Sequence, residues 1–313
     1  MRREEPAIDL AGSTIAVTGA TGFIGRYIVR ALANRGCKVV AVVRNPERAA
    51  TLKDHCSEIR QADLADQQAL AKAFHGVDAV VSNAAMVSVG GKSKQELIAT
   101  NVDGTSHIFE AMVEAGVKRC VQTSSAVAYR SKKNHYYHED DPLRSADEDG
   151  TALSYYAVSK ACAEERAWQL SRDFNIGLTT VRPHTVYGAN DRGTFTRWLK
   201  RLMAPPISVF PAKLLLPPVY AGDLAEAICR IFERPQSIGR AYNIAGEPGK
   251  DSYWDMMCAY RRAGGRTPLL VLPIPVPMKR SYSISRAEQD LDFINCSLED
   301  GFRDTIRLES NLQ

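Results

Sequence analysis

The stretch Ile15-Ala-Val-Thr-Gly-Ala-Thr-Gly-Phe-Ile-Gly-Arg-Tyr-Ile-Val-Arg-Ala-Leu32 constrains the fold more than any other in the chain. Residues 15–18 are a short apolar run with the character of a buried strand. Gly19, Gly22 and Gly25 follow, and Phe23, Ile24, Ile28, Val29 and Leu32 then recur at helical spacing. Between a strand and a helix, the first glycine permits a tight turn. The second lets backbone approach a pyrophosphate, and the third lets the helix pack on the strand. The phosphates then sit at a helix N-terminus, where free N–H groups and the helix dipole favour an anion. This places Gly19, Thr21, Gly22, Phe23, Ile24 and Gly25 against a dinucleotide. Three glycines also suit a purely structural turn, so the remainder of the chain decides between the two.

From Ile15 onward strand and helix patterns alternate at βαβ intervals. Strands are expected at 15–18, 38–43, 79–82, 118–123 and 177–182, and helices near 22–35, 66–74, 93–115 and 153–174. That order implies an α/β fold, a doubly wound parallel sheet with a ligand crevice beyond the C-terminal ends of its strands. The second strand, residues 38–43, runs into Arg44-Asn45-Pro46. An acid there would hold the ribose hydroxyls of NAD, whereas an arginine suits the 2′-phosphate of NADP. Arg26 is a second cation for the same phosphate, and a solvated loop arginine is the plain alternative for Arg44. Asp63, followed by Leu64 after a short third strand, is suited to the adenine amino group. Asp66 reads as an N-cap. The small residues Asn83, Ala84 and Ala85 let backbone crowd a ribose, and Val87 follows on the substrate side. Helix 93–115 holds Asn101 and an apolar stripe, Leu97, Ile108, Phe109 and Met112, suited to a core or a subunit interface.

Several further motifs occur in order. They are Asn101-Val-Asp-Gly-Thr105, Gly116-Val-Lys-Arg119, Thr123-Ser-Ser125, Tyr156-x-x-x-Lys160, Arg182-Pro183 and Tyr242-Asn-Ile-Ala245. With the glycine turn they resemble the extended short-chain dehydrogenase/reductase family over residues 13–245. A Ser285-Arg-Ala287…Leu291-Asp-Phe293 segment follows. The family includes nucleotide-sugar epimerases, dihydroflavonol-type reductases and 3β-hydroxysteroid-type dehydrogenases. Tyr156 and Lys160 lie four apart on a helix and share a face. An ammonium beside a phenol stabilises phenolate and lowers its pKa from about 10, which makes a proton donor and acceptor for a carbonyl/alcohol pair. The resemblance implies that Ser125 orients the substrate carbonyl, with Ser124 as its rival. It also implies that Lys160 reaches the nicotinamide ribose, that Thr123 borders the cofactor, and that Pro183, His184, Thr185 and Val186 pass along the nicotinamide ring. Segment 130–152 is expected to overhang the site as a polar, mobile loop, bringing Tyr136 and Tyr137 to substrate. His135 and His138 lie three apart, but no further Cys/His cluster supports a metal.

Departures from the family narrow the chemistry. Sugar dehydratases carry Thr-Asp-Glu where this chain has Thr123-Ser124-Ser125. Nucleotide-sugar enzymes place an arginine just before the segment equivalent to Val219–Leu224, where only Lys213 is near; Arg192 and Arg197 remain as phosphate ligands. The proline-laced run at 268–277 fits an apolar or uncharged substrate, or an ordinary extended connector. The expected function is an NADP(H)-linked reductase or dehydrogenase. The alternative is an epimerase that retains NAD, and a third reading is a nucleotide sensor without catalysis. The expected division is a tail at 1–12, a nucleotide domain at 13–186 with 218–245, and a substrate domain at 187–217 with 246–313, the cleft between them burying the reacting carbon. Helix 153–174, through Ala157, Ala161, Trp168 and Leu170, suits either the core or the four-helix dimer interface common in the family.

Composition excludes other classes. The 313 residues carry a net charge of +4 with the charges scattered, which gives no nucleic-acid track. Arg130-Ser-Lys-Lys133 is answered at once by Glu139-Asp140-Asp141. Seven cysteines without a CxxC pair fit a reducing compartment. No signal peptide or membrane span is evident, so a cytoplasmic protein is expected.

Overall fold

A computed structural model describes residues 7–87, 93–148, 151–191, 195–211, 213–274 and 281–310. The first elements are β1 (Thr14–Thr18), α1 (Phe23–Asn34), β2 (Lys38–Val43), β3 (Glu58–Gln61), α2 (Gln67–Phe74) and β4 (Ala79–Ser82). Next come α3 (Lys94–Ile98), α4 (Gly104–Glu114), β5 (Arg119–Thr123), β6 (Tyr136–Tyr137), α5 (Ala152–Asp173) and β7 (Gly177–Pro183). The chain continues through β8 (Val186–Tyr187), α6 (Phe195–Met203), β9 (Ile207–Phe210), β10 (Val219–Tyr220), α7 (Ala221–Glu233) and β11 (Ala241–Ile244). It ends with α8 (Tyr253–Arg262), β12 (Leu270–Pro273), β13 (Ser281–Tyr282), α9 (Ser285–Leu291) and α10 (Leu298–Ser310). The expected elements are present with ends shifted by a residue or two, as end fraying allows.

Seven strands form one sheet in the order β11-β7-β5-β4-β1-β2-β3. The pairs β1–β2, β1–β4, β2–β3, β4–β5 and β5–β7 are parallel. Bonds from Gly239 N to Leu178 O and from Thr180 N to Arg240 O advance in step along the chain, the sense of a parallel pairing of β11 with β7. The order reverses between β1 and β4, the switch point at which such sheets bind ligands beyond their strand ends. Buried on both sides, the strands read as near-continuous Val, Ile and Ala. On one face Val40, Val42, Val80, Cys120 and Leu178 pack with Leu70 and Phe74 of α2, Phe109 and Met112 of α4 and Leu170 of α5. Core packing therefore accounts for Ile108, Phe109, Met112 and Leu170. Asp66 caps α2, its Oδ1 accepting from Ala69 N at 2.9 Å. Arg35, at the C-terminal end of α1, pairs with Glu226 and Glu233 of α7.

One helix differs from expectation. The span 93–115 is not continuous, because residues Ala99–Asp103 wind as a wider π turn between α3 and α4. Within that turn Asn101 directs a buried carboxamide at the chain following β4.

The described chain divides into two compact units: residues within 1–130, 141–182 and 225–242, and residues within 131–140, 183–224 and 243–313. Segment 131–140, placed with the nucleotide domain by sequence, groups with the second unit. It is not the free loop expected. Tyr136 and Tyr137 form β6, which pairs in parallel with β13. Tyr137 is buried and stacks on Tyr282 at 5.2 Å. Glu139 is buried as well, accepting from Asn243 N at 3.1 Å. Glu139 thus anchors its segment, while Asp140 beside it is exposed and pairs with Arg286 at 2.8 Å. In the same unit β8 pairs with β10 and β9 with β12.

Candidate active site

The glycine turn is shaped by what it cannot contain. Gly19 adopts φ +65°, and a Cβ there would lie 2.8 Å from Ala84 Cα. A Cβ on Gly25 would overlap the carbonyl oxygen of Gly19. Gly19 is thus required by its positive φ and by the chain after β4, and Gly25 by the close approach of α1 to the end of β1. Gly22 caps α1 with no side-chain hydrogen bond, and the first turn of the helix carries no acid. Among the described residues no side chain caps its opening N–H groups, so the cradle fits a pyrophosphate. Thr18, which the sequence left as a motif letter, orders the opposite wall. Its Oγ1 accepts from Asn83 N and Ala84 N, each at 3.1 Å. Asn83, Ala84 and Ala85 are half-buried there, and Val87 is exposed.

Arg44 leaves the end of β2 with 78% of its side chain exposed, its Nε 3.9 Å from Asp63 Oδ2. Asp63 Oδ1 accepts from Ala65 N at 3.0 Å, which leaves Oδ2 toward Arg44. Arg26 is turned back on the glycine loop, Nε donating to Thr21 O at 3.1 Å and Nη1 to Thr51. Leu64 packs where Gly104 has no side chain, and its carbonyl contacts His107 Nδ1 at 2.7 Å. His107 carried no sequence signal, since its partner lies 43 residues away.

The chemical residues gather at the end of β5 and the start of α5. Ser124 is buried and continues the sheet, its N–H donating to Val181 O at 2.8 Å. Ser125 is half-exposed, its Oγ accepting from Val127 N at 3.4 Å. Ser124 is enclosed, whereas Ser125 is partly open to solvent. Tyr156 lies in the first turns of α5, half-buried, while Tyr155 turns toward Lys94 with the ammonium 6.0 Å from its ring. Lys160 is 6% exposed, and its Nζ donates to Thr123 O at 2.7 Å.

Burial pushes the Tyr156 phenol up to about 12 and the Lys160 ammonium down to about 8, the latter against an opposing pull from Glu164. Burial is the cause that sets the direction for the phenol, and the ammonium is engaged by the Thr123 carbonyl. Asn101 completes the group. Its Oδ1 accepts from Met86 N at 2.7 Å, and its Nδ2 donates to Met86 O at 3.1 Å and Ser159 Oγ at 3.0 Å.

Beyond β7, Pro183 leads to His184, which is buried against Tyr282 at 4.4 Å between ring centres. Its Nδ1 lies 3.3 Å from Pro217 O. Thr185 holds φ +38°, a conformation costly for a β-branched residue, and Val186 enters β8. Tyr136 is 41% exposed. Arg192 lies outside the described residues, as does the Arg197 side chain. His135 and His138 pack edge-on against Tyr137 and Tyr136. Among the described residues no group of three or more His, Cys, Asp or Glu is arranged to hold a metal, and no helix is long and apolar enough to cross a membrane.

A glycine cradle at the N-terminus of α1, with a serine, tyrosine and lysine beyond neighbouring strands of the same sheet, defines an NAD(P)-dependent oxidoreductase of the short-chain dehydrogenase/reductase type. The chain belongs to the NAD dependent epimerase/dehydratase family, whose model matches residues 15–245. It is 29% identical to cinnamoyl-CoA reductase 1 of Arabidopsis thaliana over 249 residues, 74% of this chain and 70% of that one. It is 30% identical to dihydroflavonol 4-reductase of Gerbera hybrida over 268 residues, 77% and 69% of the two chains. The fold matches UDP-glucuronic acid 4-epimerase from Bacillus cereus in complex with NAD, with a TM-score of 0.77 at 24% identity over 96% and 99% of the chains.

Proposed function

We propose that the protein is an NADP(H)-linked reductase or dehydrogenase that interconverts a carbonyl and a secondary alcohol on an uncharged, largely apolar substrate. The observation that carries the cofactor preference is Arg44, exposed at the end of β2 where an acid would select NAD. The relatives named as reductases support the direction of the chemistry.

Gly19, Thr21, Gly22, Phe23, Ile24 and Gly25 hold the pyrophosphate. Arg44 takes the 2′-phosphate, Asp63 and Leu64 border the adenine, and Asn83, Ala84, Ala85 and Thr123 border the riboses. Lys160 hydrogen-bonds the nicotinamide ribose, and Pro183, Thr185 and Val186 follow along the ring. Ser125 Oγ and Tyr156 Oη both hydrogen-bond the substrate carbonyl oxygen, and Tyr156 donates its proton to that oxygen during reduction. Bound nicotinamide supplies the hydride. At pH 7 the phenol carries its proton and Lys160 its charge, the states that donation requires. Val87, Tyr136, His184 and Arg192 are assigned to substrate, with Ser124 a supporting residue behind Ser125. A homodimer in the cytoplasm completes the proposal.

Asp63 supports a second reading. Its carboxylate, 3.9 Å from Arg44, offsets part of the charge meant for a phosphate and suits a tightly held NAD, as an epimerase would keep. Nucleotide content after gel filtration, followed by titration with NADPH and NADH, separates the two. An exchangeable site that binds NADPH at least tenfold more tightly, about 1.4 kcal/mol, supports the reductase. Co-purified NAD⁺ overturns it in favour of the epimerase.

A further inference from the structure

Glu164 is fully buried one helical turn beyond Lys160 on α5. Its Oε1 accepts from Arg182 Nη2 at 2.6 Å and Nε at 3.0 Å. The same oxygen accepts from Thr180 Oγ1 at 3.1 Å and Trp168 Nε1 at 3.3 Å, while Oε2 accepts from Arg182 Nε at 3.1 Å. Arg182 Nη1 in turn donates to the Tyr129 hydroxyl at 2.8 Å, with the guanidinium 4.9 Å from the Tyr129 ring centre. One carboxylate thus joins three stretches of chain. They are the helix bearing Tyr156 and Lys160, the residue before Pro183, and the segment that follows Ser125.

A buried ion pair is a poor device for stability, because desolving two charges consumes most of their attraction. Its position is more informative. Residues four apart on a helix have Cβ atoms about 6 Å apart, so the carboxylate lies beside the root of the Lys160 side chain. We propose that Glu164, clamped by Arg182, is a positioning residue for the active site. It holds α5 in register with the ends of β5 and β7 and supplies the negative charge that keeps Lys160 protonated.

The groups facing Lys160 are consistent with this. Glu164 shares its helix and is, among the described residues, the one charged group acting on it, and the Thr123 carbonyl at the end of β5 accepts from Nζ; Arg182 of β7 and Tyr129 after β5 meet the Glu164 side of the cluster. Burial lowers the Lys160 pKa and Glu164 raises it. Burial would neutralise Glu164, but the charge and hydrogen bonds of Arg182, aided by the indole of Trp168, prevail and keep it ionised.

The inference rests on Lys160 belonging to the proposed site, yet its test reads Lys160 directly. Protein labelled with ¹³C at the lysine ε-carbons is titrated by NMR, and the Lys160 resonance is identified by its loss in Lys160→Met. Glu164→Gln is expected to move the Lys160 midpoint down by at least one pH unit. Arg182→Gln, which removes the cation that keeps the buried carboxylate ionised, is expected to move it down as well. Glu164→Asp, which keeps the charge, should stay nearer the parent than Glu164→Gln. Midpoints that stay put or rise while melting temperatures fall overturn the proposal and leave a merely structural pair, because a loosened site rehydrates the ammonium. If Glu164→Gln does not fold, the Arg182→Gln midpoint decides alone: a fall supports the proposal and a rise or no change overturns it. Downward shifts in a protein that fails to bind NADPH would sink the cofactor assignment and leave the role of Glu164 standing.

Discussion

At the scale of single residues, the chemistry turns on which hydroxyls are reachable and which charges survive burial. Tyr156→Phe removes the proposed proton donor and nothing else of size. Turnover should fall by about 10²-fold or more while NADPH affinity stays within about threefold, roughly 0.7 kcal/mol; steady-state rates beside a fluorescence titration check both. Lys160 carries a pH signature. Its folded pKa, about 8, lies below its ordinary 10.5. The unfolded chain therefore binds more protons between those values, and the penalty of burying the ammonium is present below pH 8 and fades toward pH 10. Lys160→Met should unfold at higher denaturant than the parent at pH 7, by about 2–3 kcal/mol, and lose that advantage near pH 10. Urea melts across that range check the sign. Tyr156 and Lys160 could be proposed from the sequence because their spacing carries the chemistry, and Ser125 because its motif resembles the family's. Thr18, His107 and Tyr282 could not, because each acts through partners far away in sequence, which no local spacing encodes; Glu164 could not, because its Arg182 partner comes from a different element.

At the scale of elements, the glycine turn and the helix it opens are the most exacting. Gly25→Ala must push the Gly19 carbonyl or the start of α1 aside, because its Cβ has no room there. Overpacking of this kind costs about 1–3 kcal/mol. NADPH binding should weaken by more than the melting temperature alone would suggest, since the displaced atoms are those proposed to face the phosphates. Calorimetric titration of the folded variant checks this, and unchanged affinity would count against the cradle. Strand and helix alternation was open to reading because parallel strands buried on both faces leave runs such as residues 38–43, and amphipathic helices leave periodic ones. The π turn at Ala99–Asp103 and the β6–β13 pair escaped that reading. The first is an irregularity within an otherwise helical pattern, and the second unites two-residue strands from distant parts of the chain.

At the scale of the whole molecule, the cofactor should be a large source of stability. With NADPH at one hundred times its dissociation constant, the folded state gains about 2.7 kcal/mol, and NADH at the same concentration should give less. Thermal shift with matched nucleotides checks the difference, and equal shifts would remove Arg44 from the cofactor assignment. The strand order also bears on how the chain is made. Strands β1 to β3 lie within the first 61 residues and can pair as soon as they emerge, whereas β11, the outer neighbour of β7, begins only at Ala241. Until then β7 presents an open row of backbone donors and acceptors, a template for a neighbouring nascent chain. Synthesis that stalls or terminates before Ala241 should therefore yield inclusion bodies rather than a shorter working protein.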